Sequence, residues 1–214
     1  MSVKLFQDIY DRLYHHYGPQ CWWPADSDFE ILVGAVLTQN TSWDNVSKAL
    51  EKLRDAGMLS YQAMSATPVD GLAELIRPSG YYNIKAKRLH NLLRMISTRY
   101  GGELDALISD NTEEARTNLL SVKGIGPETA DAILLYCGKH PVFVVDTYTH
   151  RVFSRHGLVP EECDYHELQE EFTRRLEPDP HLYGEYHALI VMVAKEFCKK
   201  GAPLCEHCPL AGVE

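Results

Sequence analysis

Two stretches of this chain carry residue types able to do chemistry together. In the first, Leu120-Ser-Val-Lys-Gly-Ile-Gly-Pro-Glu-Thr-Ala-Asp131, two glycines flank one apolar residue. Gly124 and Gly126 let the backbone turn sharply without a Cβ penalty. The N–H groups of such a hairpin, and those opening the next helix, suit a phosphate oxygen. Pro127 fits the first helical position, where its missing N–H costs nothing. The second stretch, Val144-Val-Asp-Thr147, delivers one carboxylate, Asp146, shortly downstream. Beside a held phosphate, a carboxylate can stabilise a developing positive charge and orient or deprotonate a water. Asp146 can also simply cap a helix beginning near Tyr148; the two roles are compatible.

A third pattern is Cys198-x6-Cys205-x2-Cys208. Soft thiolates at such spacing select an iron–sulfur cluster or zinc. Cys21, Cys137 and Cys163 are scattered singles. Scattered thiols plus one cluster suit a reducing, cytoplasmic setting rather than a disulfide framework.

The elements that must position these groups read as all-helical. Phe29, Leu32, Val33, Val36 and Leu37 recur at helical spacing, as do Leu89, Leu92, Leu93 and Ile96. Ala130, Ile133, Leu134 and Cys137 form the inner stripe of the helix after the hairpin; Tyr186, Leu189, Ile190, Val193 and Phe197 form another. Asp28 and Asp110 are the expected helix starts. Val142-Phe-Val-Val145 reads as an extended buried connector or a brief strand.

The 214 residues allow one large or two small domains. No apolar run approaches the roughly 18 residues of a membrane span, and the early charge at Lys4 argues against a secretory signal. A net charge of −9 argues against a protein that coats nucleic acid indiscriminately. The charges are segregated, however. Arg77, Lys85, Lys87, Arg88, Arg94 and Arg99 fall in 77–100 with no acidic residue, whereas 161–179 holds eight acidic residues and two basic ones. A basic face on an acidic molecule, or two solvated helix faces, would both produce this.

The hairpin and Asp146 resemble the helix-hairpin-helix DNA glycosylases of the endonuclease III superfamily. Three further stretches extend the likeness over roughly residues 20–210: Ala35-Val-Leu-Thr-Gln-Asn-Thr41, Gly80-Tyr-Tyr-Asn-Ile-Lys-Ala-Lys87 and the cysteine triplet. The resemblance implies a two-lobed all-α fold. A six-helix lobe at 22–131 ends in the hairpin; 1–21 and 132–214 form a discontinuous second lobe, with the cysteine loop at 198–214. Duplex DNA carrying a damaged base would lie between them, bound by a monomer.

The resemblance also assigns roles. Asp146 is the catalytic carboxylate. Gln39 fills the gap left in the duplex or contacts the opposite base, and Gly124 and Gly126 hold backbone. Lys85, Lys87 and Lys123 are expected at phosphates. Members that also cut the DNA backbone carry a lysine two residues after the second glycine, which attacks the sugar as an amine. Here that position is Glu128, and a carboxylate cannot form an imine. The expectation is a monofunctional glycosylase that leaves an abasic site, with no lyase activity.

Trp22-Trp23-Pro24, with Trp43 four residues after Gln39, is similar to the branch that removes 3-methyladenine. Aromatic faces favour a flipped cationic base, so Trp22, Trp23 and Trp43 are the expected pocket. The alternatives are a mismatch, uracil or oxidised-base glycosylase, and, of another class, a non-catalytic DNA-structure-binding protein. The family's structural 4Fe–4S cluster uses four cysteines. Cys198, Cys205 and Cys208 match three; the fourth position is Glu214. Three thiolates with Glu214, His207 or water as fourth ligand, or a loop without a cluster, are both open.

Overall fold

The computed structural model describes residues 2–213, so Glu214 lies outside the described residues. The helices are α1 (Val3–Tyr17), α2 (Asp28–Leu37), α3 (Trp43–Asp55), α4 (Tyr61–Ala66), α5 (Val69–Leu75), α6 (Tyr82–Tyr100), α7 (Leu104–Ile108), α8 (Thr112–Leu120), α9 (Pro127–Tyr136), α10 (Thr147–Arg155), α11 (Tyr165–Thr173) and α12 (Pro180–Glu196). No strand occurs among the described residues, and the fold is all-α.

The chain divides into two compact units, 25–140 and 1–24 with 141–214. The sequence reading drew these limits at 21/22 and 131/132. The later boundary falls beyond α9 because that helix is buried along nearly its whole length and packs on α2 and α8. Trp22 and Trp23 accordingly belong to the discontinuous unit.

In the unit at 25–140, α2 is buried all round from Phe29 to Leu37, a run that is apolar but for Gly34 and Glu30, the latter paired with Arg54, the mark of a central helix. It packs against α3, α6 and α9. Ser27, not Asp28, caps it, accepting from the Glu30 N–H at 3.2 Å. Asn111 likewise caps α8 in place of Asp110; Asp110 instead accepts from the Tyr100 hydroxyl at 2.8 Å. The helices flanking the hairpin, α8 and α9, are braced by a two-pronged ion pair. Arg116 Nε and Nη2 reach Asp131 Oδ1 and Oδ2 at 2.7 and 3.1 Å, and Asp131 has no exposed surface. The planar fork of arginine matches a carboxylate in this way.

The discontinuous unit is built on aromatic packing. Phe143 stacks on Phe172 with centroids 3.8 Å apart, and Phe6, Phe153, Tyr183 and Tyr186 close around them. The 142–145 segment is an extended connector, not a strand. The Phe143 carbonyl accepts from the Gln169 side-chain amide at 2.7 Å, so a side chain serves where a neighbouring strand would.

Candidate active site

The hairpin is built as its residues suggest, with one addition. Gly124 has φ +100°, and a Cβ there would come within 2.5 Å of Arg88 Cγ. Position 124 therefore requires glycine twice, for its backbone and for its space. Gly126 caps α9 with φ −100°, and a Cβ there would meet nothing within 4 Å. Nothing inside the protein demands glycine at 126. Between them Ile125 is buried and anchors the turn, while Gly124, Gly126 and Lys123 are exposed.

Gln39 is latched onto this hairpin. Its amide nitrogen donates to the Gly124 carbonyl at 3.1 Å and to Thr129 Oγ1 at 2.9 Å. Its Oε1 accepts from Arg88, whose side chain lies across Gly124. Arg88 thus joins the glutamine loop to the hairpin, a link that single-motif reading did not reveal.

Lys85 corrects the sequence reading. It is 1% exposed, and its ammonium donates to the carbonyls of Leu37 at 2.8 Å and Ser79 at 2.7 Å. Leu37 ends α2, where the last carbonyls have no partner within the helix. Lys85 therefore closes a helix end and does not reach a phosphate. Burial, with the charge of Arg88 adding, lowers its pKa to about 8. Lys87, two residues on, is exposed and remains available for DNA. Glu128, on the first turn of α9, is exposed too.

Asp146 caps α10 from an almost enclosed position. Its side chain is 11% exposed. Oδ1 accepts from the Thr149 N–H at 2.7 Å and the Thr149 hydroxyl at 2.9 Å. Oδ2 faces His187 Nε2 at 3.4 Å. Burial alone would push this carboxyl's pKa up. The neighbouring His187 and then the Thr149 donors outweigh burial and hold it below the usual carboxylate range. Asp146 is consequently ionised at neutral pH. An ionised carboxylate in a nearly dry setting is a strong electrostatic partner for a developing cation.

Trp22 and Trp23 are half-buried with ring centroids 5.8 Å apart. The backbone leading to them is held by Glu185, a buried acid on α12. Its carboxylate accepts from the N–H groups of Gln20 and, at 3.3 Å, Cys21, which sits at φ +50°. Trp43 opens α3 in the other unit and is also half-buried.

A model of the HhH-GPD superfamily of base excision DNA repair proteins matches residues 33–178. The chain belongs to this superfamily. A Methanocaldococcus jannaschii protein named as a DNA repair glycosylase is 46% identical over 98% of this chain and 95% of its own length. The solved 3-methyladenine DNA glycosylase of H. pylori, bound to 1,N6-ethenoadenine, is 34% identical with a TM-score of 0.77, covering 91% of this chain and 95% of that one. A non-covalent endonuclease III–DNA complex shares the fold at TM-score 0.84 and 22% identity, over 100% of this chain and 95% of that one. The protein is a base excision repair DNA glycosylase. No helix among the described residues is long and apolar enough to cross a membrane.

The glycosylase's cysteine loop follows α12. Cys198 is buried, Cys208 half-buried and Cys205 exposed. The three line one cavity of about 580 Å³, together with Arg155, His156 and Val213. Burial raises the Cys208 thiol; the Leu210 N–H opposes that, and Cys198 and Cys205 add to the rise. Among the described residues no three donors converge tightly enough for a single ion. Three cysteines lining one cavity are the donor chemistry that an iron–sulfur cluster takes. His207 is exposed in the short turn Cys205–His207.

Three residues near the chemistry escaped the sequence reading. Thr149 was legible as the third residue after a capping aspartate. His187 and Glu185 lie about forty residues downstream of Asp146, and no local spacing connects them to it.

Proposed function

We propose that this glycosylase is monofunctional and excises cationic alkylated purines, with 3-methyladenine as the type substrate. One observation carries the monofunctional reading: position 128, on the first turn of α9, is an acid. An imine needs an amine there. The substrate reading is supported by the Trp22-Trp23 pair, held in place through Glu185, and by the 34% identity to a 3-methyladenine glycosylase.

The chemistry is simple for such a base. The C1′–N9 bond breaks and its electron pair goes to the cationic purine, which leaves neutral. The sugar becomes an oxocarbenium ion, stabilised by the Asp146 carboxylate. Water adds through oxygen at C1′, and its proton passes to that carboxylate or to solvent. The product is an abasic site in an uncut strand. The aromatic rings of Trp22 and Trp23 are assigned to the flipped base, whose positive charge their faces attract. Gln39, Lys87, Lys123, Gly124 and Gly126 are assigned to the DNA.

The cysteine loop is assigned a 4Fe–4S cluster held by Cys198, Cys205 and Cys208. When bound it would cross-link the loop and take no part in base release.

The test is release of free base from methylated duplex DNA, identified by chromatography, with strand nicking scored in parallel. Release of 3-methyladenine without nicking is expected, and Asp146→Asn should abolish release while keeping DNA binding. Nicking through a borohydride-trappable imine would overturn the monofunctional reading. Release of uracil or an oxidised base, with none of methylated purine, would overturn the substrate.

A further inference from the structure

The two oxygens of Asp146 have different partners, and only one arrangement is explained by helix capping. Oδ1 takes both the N–H and the hydroxyl of Thr149, on the first turn of α10. Two other aspartates in the same unit show what capping alone requires. Asp164 caps α11 and Asp179 caps α12, each through Oδ1 and each while exposed. Neither cap is enclosed as Asp146 is. Asp146 is nearly enclosed, and its second oxygen lies 3.4 Å from Nε2 of a buried histidine on another helix.

The cost of enclosing a carboxylate is real, and an N-cap gains nothing from it. The placement makes sense if the second oxygen must be held in a fixed direction. A carboxylate anchored through one oxygen keeps a broad terminal torsion. A contact from a separate helix narrows it. The contact is 3.4 Å, and a carboxylate oxygen engaged on one side still has a lone pair for an approaching sugar or water.

We propose that His187 is a positioning residue for base release: it holds Asp146 Oδ2, and with it the plane of the carboxylate, in the orientation used by the reaction. This rests on Asp146 being the reacting carboxylate. Other charged side chains on the two helices are engaged elsewhere. Arg151 donates to the Cys198 and Ala194 carbonyls, Arg155 to those of Lys199 and Lys200, and Lys195 lies over the Tyr148 ring. Glu185 holds the Gln20–Cys21 backbone. Of the groups around Asp146, His187 opposes the effect of burial most strongly.

The experiment compares His187→Ala and His187→Gln with the wild type in three measurements. These are single-turnover release of 3-methyladenine, affinity for DNA carrying an uncleavable abasic analogue, and titration of the Asp146 carboxyl by carbon NMR. His187→Ala should slow release on the order of 10–100-fold, as loosening of a positioned group does, with DNA affinity unchanged. Its Asp146 titration should move upward, because burial is then less opposed, and the acid limb of the rate should follow. The amide of His187→Gln restores a donor and should recover part of the rate. An unchanged rate in His187→Ala would overturn the proposal. So would a rate that falls in step with affinity and is not recovered by glutamine. If the wild type releases no base from any lesion, the role of Asp146 fails instead. The carboxyl titration is still readable then, and an unmoved value would remove His187 from the pair.

Discussion

At the residue scale two of the chain's enclosed charged groups, Asp146 and Lys85, go against the usual rule that such groups stay in water. Asp146 is nearly enclosed beside His187, the setting of its proposed chemistry, and Lys85 is buried for architecture. Lys85 occupies the first position of the series Lys85, Leu89, Leu92, Ile96, the buried stripe of α6. That spacing marks it as inward-facing, and the charge alone misled. Its ammonium satisfies the Leu37 carbonyl at the end of α2 and the Ser79 carbonyl, fixing the point from which the Gln39 loop departs. Lys85→Met would fill the space but leave both carbonyls unmet in a dry environment. We expect a loss of about 2–4 kcal/mol in urea unfolding. DNA affinity per folded molecule should stay near that of the wild type at every salt concentration. A phosphate contact at this position would instead show itself as a shallower salt dependence of binding.

The element that carries most of the meaning is the hairpin between α8 and α9, and it was legible because its information is local. Two glycines, a proline at the first helical position and a stripe of apolar residues lie within a few turns of one another. The Arg116–Asp131 brace and the Arg88 side chain lying over Gly124 were not legible, since each joins residues at least fifteen apart. The two glycines now separate into different roles. Gly124 is required by its own fold: φ is +100° and Arg88 fills the space. Gly126 has an ordinary φ and open space around it, so the protein's own packing does not require glycine there; the proposed close approach of a DNA backbone would. Gly124→Ala should lower the melting temperature and weaken DNA binding together. Gly126→Ala should hold or slightly raise stability, since alanine restricts the unfolded chain at a compatible position, while weakening DNA binding. A Gly126→Ala protein with wild-type affinity would show that no phosphate approaches there.

On the scale of the molecule, the two units divide the labour, the hairpin in one and the carboxylate in the other. The unit with Asp146 also holds the cysteine loop, and that loop is tied widely into it. Arg151 and Arg155 grip the carbonyls of Cys198, Lys199 and Lys200, His156 contacts the Val213 carbonyl at 2.8 Å, and Arg12 of α1 reaches the Ala211 carbonyl at 3.2 Å. These bonds engage α1 and α10 as well as the loop's own root at α12. A cluster bound by the loop would therefore stabilise the whole unit by mass action, because binding free energy adds to folding free energy when the unfolded chain has no formed site. The expected outcome is iron and acid-labile sulfide in the purified glycosylase, both lost in Cys205→Ser, with a lower melting temperature. Base release per folded molecule should stay unchanged in that variant, because Asp146, the proposed reacting carboxylate, stands at the start of α10 and outside the loop. Iron-free wild-type protein that melts with Cys205→Ser would assign the loop's order to its arginines alone. A variant that stays folded yet loses turnover would give the loop a part in the chemistry that the position of Asp146 does not call for.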